Sequence, residues 1–193
     1  MRKLFALTSL TSALLIGSTK PTAAQPIPAG MKVSLAMYLG AAYGGLKGDL
    51  TEAAEAMPDT DYEFKPASAP EMRKYGQLFA HVAEGQFGTC AAIKGVPNPS
   101  EGKNFERDLK SKREFVKALA DSFAFCDDVF SGLNDENAAQ FVKMGKGEVV
   151  RSAVMTGILA HGSEMYGVAT VYLRAKGLVP PSTARQQQRA SPK

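Results

Sequence analysis

The chain has 193 residues, 45% of them hydrophobic and 22% charged, a composition that suits one globular domain and excludes a disordered chain. Two Cys, two His and no Trp exclude a disulfide-rich scaffold and a zinc finger. The formal charge of +4 is unevenly spread: residues 1–24 hold three bases and no acid, residues 25–173 carry −4, and no acid follows Glu164, so the folded part repels nucleic acid.

The N-terminus reads as a sorting signal. Arg2 and Lys3 precede an apolar stretch from Leu4 to Gly17, and small residues around Thr22-Ala23-Ala24 precede Gln25. This pattern predicts a signal peptide over residues 1–24, cut after Ala24, and an exported protein, periplasmic or secreted. The apolar run is broken by Thr8, Ser9, Thr11 and Ser12 and falls short of the about 20 apolar residues of a membrane anchor, so no membrane span is expected after cleavage. Residues 25–32, with two prolines, read as a flexible lead.

A bundle domain is expected over residues 33–180. Leu35, Leu39, Ala42, Leu46 and Leu50 recur at helical spacing and predict a first helix over residues 33–56, weakened by glycines at 40, 44, 45 and 48. Pro58 and Pro66 mark a loop. Ser68-Ala69-Pro70-Glu71 reads as a capping box that opens a second helix over residues 70–94, with Met72, Tyr75, Leu78, Phe79, Val82 and Gln86 facing inward and His81 on the flank of that stripe. After a Pro-Gly-Asn-Ser loop, Phe115, Leu119, Phe123, Cys126, Val129 and Phe130 predict a third helix over residues 105–133. A short piece spans residues 136–144. A fourth helix is expected over residues 148–176, with Val150, Val154, Gly157, His161, Met165, Val168 and Tyr172 stacked, stopped by Gly177 and Pro180-Pro181. Residues 181–193 read as a disordered basic tail. Four long helices without a strand pattern predict an all-α fold, an antiparallel four-helix bundle.

Each histidine sits on or beside the buried stripe of a different long helix. Neutral imidazole is the commonest protein metal ligand, and bundle cores bring ligands from facing helices together. Met165 lies one helical turn after His161, and Glu164 lies on the adjacent side.

Cys90 and Cys126 fall on the second and third helices, at similar distances from the connection in an antiparallel pair, and export would let a disulfide between them persist. Two buried free thiols are the other reading.

The run Met57-Pro58 with Asp61-Tyr62-Glu63-Phe64-Lys65-Pro66, then Leu78-Phe79-Ala80-His81-Val82-Ala83, resembles the first half of the DinB-like four-helix-bundle family. His161-Gly162-Ser163-Glu164-Met165-Tyr166-Gly167, followed by Tyr172-Leu173-Arg174-Ala175-Lys176-Gly177-Leu178-Val179-Pro180-Pro181-Ser182, is similar to its last helix and exit. The resemblance covers residues 33–183. It implies a divalent metal, often nickel or zinc, held by one His on the second helix and two His four residues apart on the last. Carried over by position, these fall on His81, His161 and Met165. The third is a thioether, a soft neutral ligand that holds borderline divalent ions poorly.

Three readings follow. In one, His81 and His161 keep a zinc or nickel ion with Glu164 or water in the vacancy, and the metal supports hydrolysis or thiol transfer, as the resemblance implies. Glu164 and Glu84 are the acid–base candidates near such a site. In the second, the His-His-Met set holds copper(I). In the third, the bundle is metal-free and binds a small molecule or partner in the old cleft. The Gly-rich first helix and the resemblance are compatible with a homodimer. No phosphate loop or nucleophile elbow competes, and nothing identifies a substrate.

Overall fold

The computed structural model describes residues 29–190; the expected signal peptide at 1–24, residues 25–28 of the lead and the last three residues lie outside it. Ser34 opens α1 (Leu35–Ala56) by accepting a hydrogen bond from the Met37 N–H at 3.2 Å. Leu39, Tyr43, Leu46, Leu50, Ala53 and Ala54 form its buried stripe. A single 3-10 turn at Asp59–Asp61 follows.

The second long helix, α2 (Tyr75–Lys94), begins five residues later than the sequence pattern predicts, and the expected capping box at Ser68 does not form. The reason lies in the preceding loop. The Phe64 and Tyr62 carbonyls accept the Tyr75 and Gly76 N–H groups, each at 3.0 Å, so the orphan donors of the helix start are satisfied at that point. The Gln77 side chain also accepts the Lys74 N–H at 2.8 Å. Gly76 is required there, because a Cβ would lie 2.5 Å from the Phe115 ring and 2.9 Å from the Tyr62 ring. Tyr75 donates to the Ala53 carbonyl at 2.6 Å, and Tyr62 to that of Ala54, which ties this loop over the end of α1.

The predicted third helix is two. A one-turn helix, α3 (Phe105–Asp108), is separated from α4 (Lys112–Ser131). Ser111 caps α4, and the Glu114 carboxylate reaches back to the N–H groups of Lys110 and Ser111 at 3.0 and 2.9 Å, a capping box that periodicity alone does not reveal. After the one-turn α5 (Asp135–Ala138), the chain forms a hairpin: β1 (Phe141–Met144) pairs antiparallel with β2 (Gly147–Val150) in the register Val142 to Val149. Gly145 has φ +60° and, among the described residues, no non-glycine residue has positive φ, as a two-residue turn with Gly first demands. The expected short piece at 136–144 divides between α5 and the first strand of the hairpin, whose second strand takes the first residues of the expected fourth helix. That helix, α6, runs Arg151–Ala175 and ends as predicted at Gly177, whose φ is +73°.

Residues 181–190 are not a disordered tail but a helix, α7 (Pro181–Ala190). Pro181 takes the first helical position, where its missing N–H costs nothing. Arg185 pairs with both Asp49 and Glu52 on α1, and Tyr166 bonds to Ser182 at 2.9 Å. Those acids are the partners that a basic tail lacks when it is read by itself.

The core lies between α1, α2, α4 and α6. Contacts set their directions. Gly76 meets Phe115, Gln86 meets Ser122 and Cys90 meets Cys126, so α2 and α4 run parallel. Tyr75 meets Tyr172 while Gly85 meets His161, so α2 and α6 run antiparallel, as do α1 and α4, joined by Lys47–Asp127 at one level and Lys112–Glu55 at another. The fold is the all-α bundle expected, with neighbours of both senses instead of antiparallel pairs throughout. A parallel α2–α4 pair needs a connection that returns along the bundle, and residues 95–111 make that return with α3 in their path.

Candidate functional site

His81 on α2 and His161 on α6 come together, with ring centroids 4.9 Å apart and planes at 74°. Two residues that the sequence reading did not single out complete the cluster. Glu106, carried by α3, places Oε1 2.8 Å from His81 Nδ1, and its Oε2 accepts from Arg73 Nε at 2.9 Å. The carboxylate orients the ring: Nδ1 of His81 donates a proton to Glu106, which turns Nε2 to the opposite side of the imidazole. Arg73 Nη2 lies 3.2 Å from the same Nδ1, two donors held side by side by the acid they share. The returning connection thus positions the cluster. Gln77 donates to the Glu106 carbonyl at 2.9 Å, and Tyr172 donates to the Arg73 carbonyl at 2.7 Å.

His161 lies against Gly85, where an added Cβ would be 3.7 Å from Cδ2 of the ring. Burial, then the neighbouring His81, holds its imidazole below the usual histidine value; Glu164, 3.9 Å from Nδ1, pulls the other way, and Arg73 adds to the depression. His161 is therefore neutral at pH 7. Glu164 is otherwise a solvated carboxylate, its side chain 70% exposed. Glu84 is occupied, accepting the Phe105 N–H that opens α3. Met165 is 7% exposed within the hydrophobic core and lines a shallow groove with Met72, Arg73 and Tyr172.

These residues do not fit the three-ligand divalent centre that the resemblance implies. The guanidinium of Arg73 stands against His81 and repels a cation, and Glu106 is committed to Arg73 and His81. Met165 offers only a thioether at the third position. No group of three or more His, Cys, Asp or Glu able to hold a metal ion occurs among the described residues. Copper(I) suits a His-His-Met set chemically, but Met165 is packed with the core and lines a different groove from His161.

Beside the histidines, a cleft of about 350 Å³ opens between α2 and α6, lined by Val82, Val154, Ile158 and His161 and flanked by Met144 and Val149 of the hairpin. Its volume is within the range of small-molecule sites. A shallower depression of about 840 Å³ between α1 and α4 contains Lys47 paired with Asp127 and Lys94 paired with Asp128, so its charges are already matched. In the structure Cys90 and Cys126 form a disulfide with Cα atoms 5.6 Å apart. The two lie near the C-terminal ends of a parallel helix pair, not across the antiparallel pair that the spacing suggested. No helix of the described residues is long and apolar enough to cross a membrane.

No family model matches the chain, and no curated protein matches it. Among solved structures, a DinB-like protein from Bacillus cereus is similar, with a TM-score of 0.56 and 16% identity, over 70% of this chain and 89% of that one. The likeness shows a DinB-like fold for the helical bundle.

Proposed function

We propose that this protein is an exported, DinB-like bundle that binds a small apolar molecule in the α2–α6 cleft without a metal. The cleft carries this reading: it is walled by apolar side chains, it is closed on one flank by the hairpin, and a neutral histidine stands at it. The polar cluster of His81, Glu106 and Arg73 is self-satisfied by hydrogen bonds, which suits a support for His161 better than a set of vacant metal ligands. Export rests on the sequence of residues 1–24.

The test uses the neutral dye N-phenyl-1-naphthylamine and the mature protein purified from periplasm without a tag. Dye binding is expected, unchanged by chelator and abolished by Gly157→Phe, which projects a ring into the cleft where an added Cβ meets nothing within 4 Å. Binding that vanishes with chelator, or that survives Gly157→Phe, overturns the reading. Retention of the full-length chain in the cytoplasm removes export from it.

A further inference from the structure

The wall of the apolar cleft includes a buried side-chain donor that the fold leaves unused. Gln86 is 3% exposed on α2 and lines the cleft. The Ser122 hydroxyl, 2.9 Å from Gln86 Oε1 and 2.8 Å from the Leu119 carbonyl, holds the carboxamide from the α4 side. Gln86 Nε2 is buried and has no hydrogen-bond partner. Buried side-chain donors are nearly always satisfied, and an orphan among apolar walls is stabilised by any acceptor brought to it.

Resting on the reading of the cleft as a small-molecule site, we infer that its ligand is an uncharged, mostly apolar molecule whose oxygen accepts a hydrogen bond from Gln86 Nε2. Size follows from volume: about 350 Å³, at about 30 Å³ for each water-sized unit, holds about a dozen heavy atoms. Charge follows from the walls. Among the described residues, no Lys, Arg, Asp or Glu lines the cleft. A carboxylate seated at Gln86 would be desolvated without a counter-charge, whereas a ketone, ester or amide oxygen loses little hydration and gains the missing bond.

The probes are butyrophenone, butylbenzene, 4-phenylbutyrate and 1-phenylbutan-1-ol, which share an aromatic ring and a short chain and differ in the polar group. Competition with the dye gives affinities, and the Gln86 side-chain amide signals, assigned by their loss in Gln86→Met, report the contact. Butyrophenone is expected to bind roughly tenfold tighter than butylbenzene and to shift those signals. In Gln86→Met the ketone falls to the affinity of the hydrocarbon, which itself is unchanged; Ser122 keeps its bond to Leu119, and circular dichroism verifies the fold. Equal binding of ketone and hydrocarbon overturns recognition by Gln86 while the cleft stands. Tightest binding by 4-phenylbutyrate overturns the uncharged ligand. Binding of the alcohol alone means that Oε1, not Nε2, faces the cleft, which overturns the donor. Loss of all binding, dye included, sinks the cleft reading first and this inference with it.

Discussion

Reduction of the Cys90–Cys126 disulfide tests the packing of α2 on α4 and has a magnitude that can be worked in advance. The bridge closes a segment with a sequence separation of 36 residues. Loop closure of that length removes unfolded-chain entropy equivalent to about 4 kcal/mol at 25 °C. Both cysteines are fully buried in the core, so the reduced thiols stay packed as small hydrophobes and leave no cavity. The loss should therefore be close to the entropic value. With a urea slope of about 2 kcal/mol per M, the unfolding midpoint falls by about 2 M, with the slope roughly preserved. Urea unfolding followed by circular dichroism, with and without a phosphine reductant, measures it, and Cys90→Ala/Cys126→Ala should resemble the reduced protein apart from a further loss from truncation. Two thiols titrating in unfolded, unreduced protein, or a midpoint indifferent to reductant, would refute the bridge.

The depressed His161 value gives a pH signature. The unfolded chain takes up its proton near pH 6.5 and the folded protein only lower, so stability is full above that value and declines as pH falls through the window between the two. His161→Gln should flatten that decline, and an imidazole NMR titration with a midpoint at or above 6.5 would contradict it. The misfit of the metal site predicts that wild-type protein takes up no stoichiometric zinc or nickel, and that Met165→His alone gains little because Arg73 remains. Arg73→Ser/Met165→His should gain one equivalent by mass spectrometry; one zinc in the wild type, lost in His161→Ala, defeats the argument. Gly76→Ala should cost about 1–3 kcal/mol in urea unfolding, because its Cβ would collide with the Phe115 ring 2.5 Å away; an unchanged midpoint refutes that close approach.

The long helices were legible because their apolar residues repeat at three and four, and Gly177 announced its own stop. What the sequence hid was short or depended on distant partners. The hairpin lies in Val142-Lys143-Met144-Gly145-Lys146-Gly147-Glu148-Val149, where Gly145 and the alternation around it were the available signal, overridden by the helix that follows. Helix α7 holds to α1 through Asp49 and Glu52, more than 130 residues earlier in the chain, which no local pattern registers. The two histidines could be picked out by their place on buried stripes. Glu106 could not, because the parallel run of α2 and α4, and the returning connection it forces, bring it to His81, and Arg73 could not, because it reaches His81 from the loop before α2 and is held there by Glu106. Met165 marked the departure from a three-histidine site, yet the charge that completes the misfit came from a loop residue.

The bridge between Cys90 and Cys126 encloses the whole return from α2 to α4, including the exposed stretch at residues 101–104. The backbone there is a covalent ring, so a protease that cuts the return does not divide the molecule. The two pieces stay linked, run as one band on a gel without reductant, and part only when thiol is added. Glu106 sits on that ring, and a single nick beside it leaves the carboxylate tethered from one side to α4 and, through sulfur, to α2.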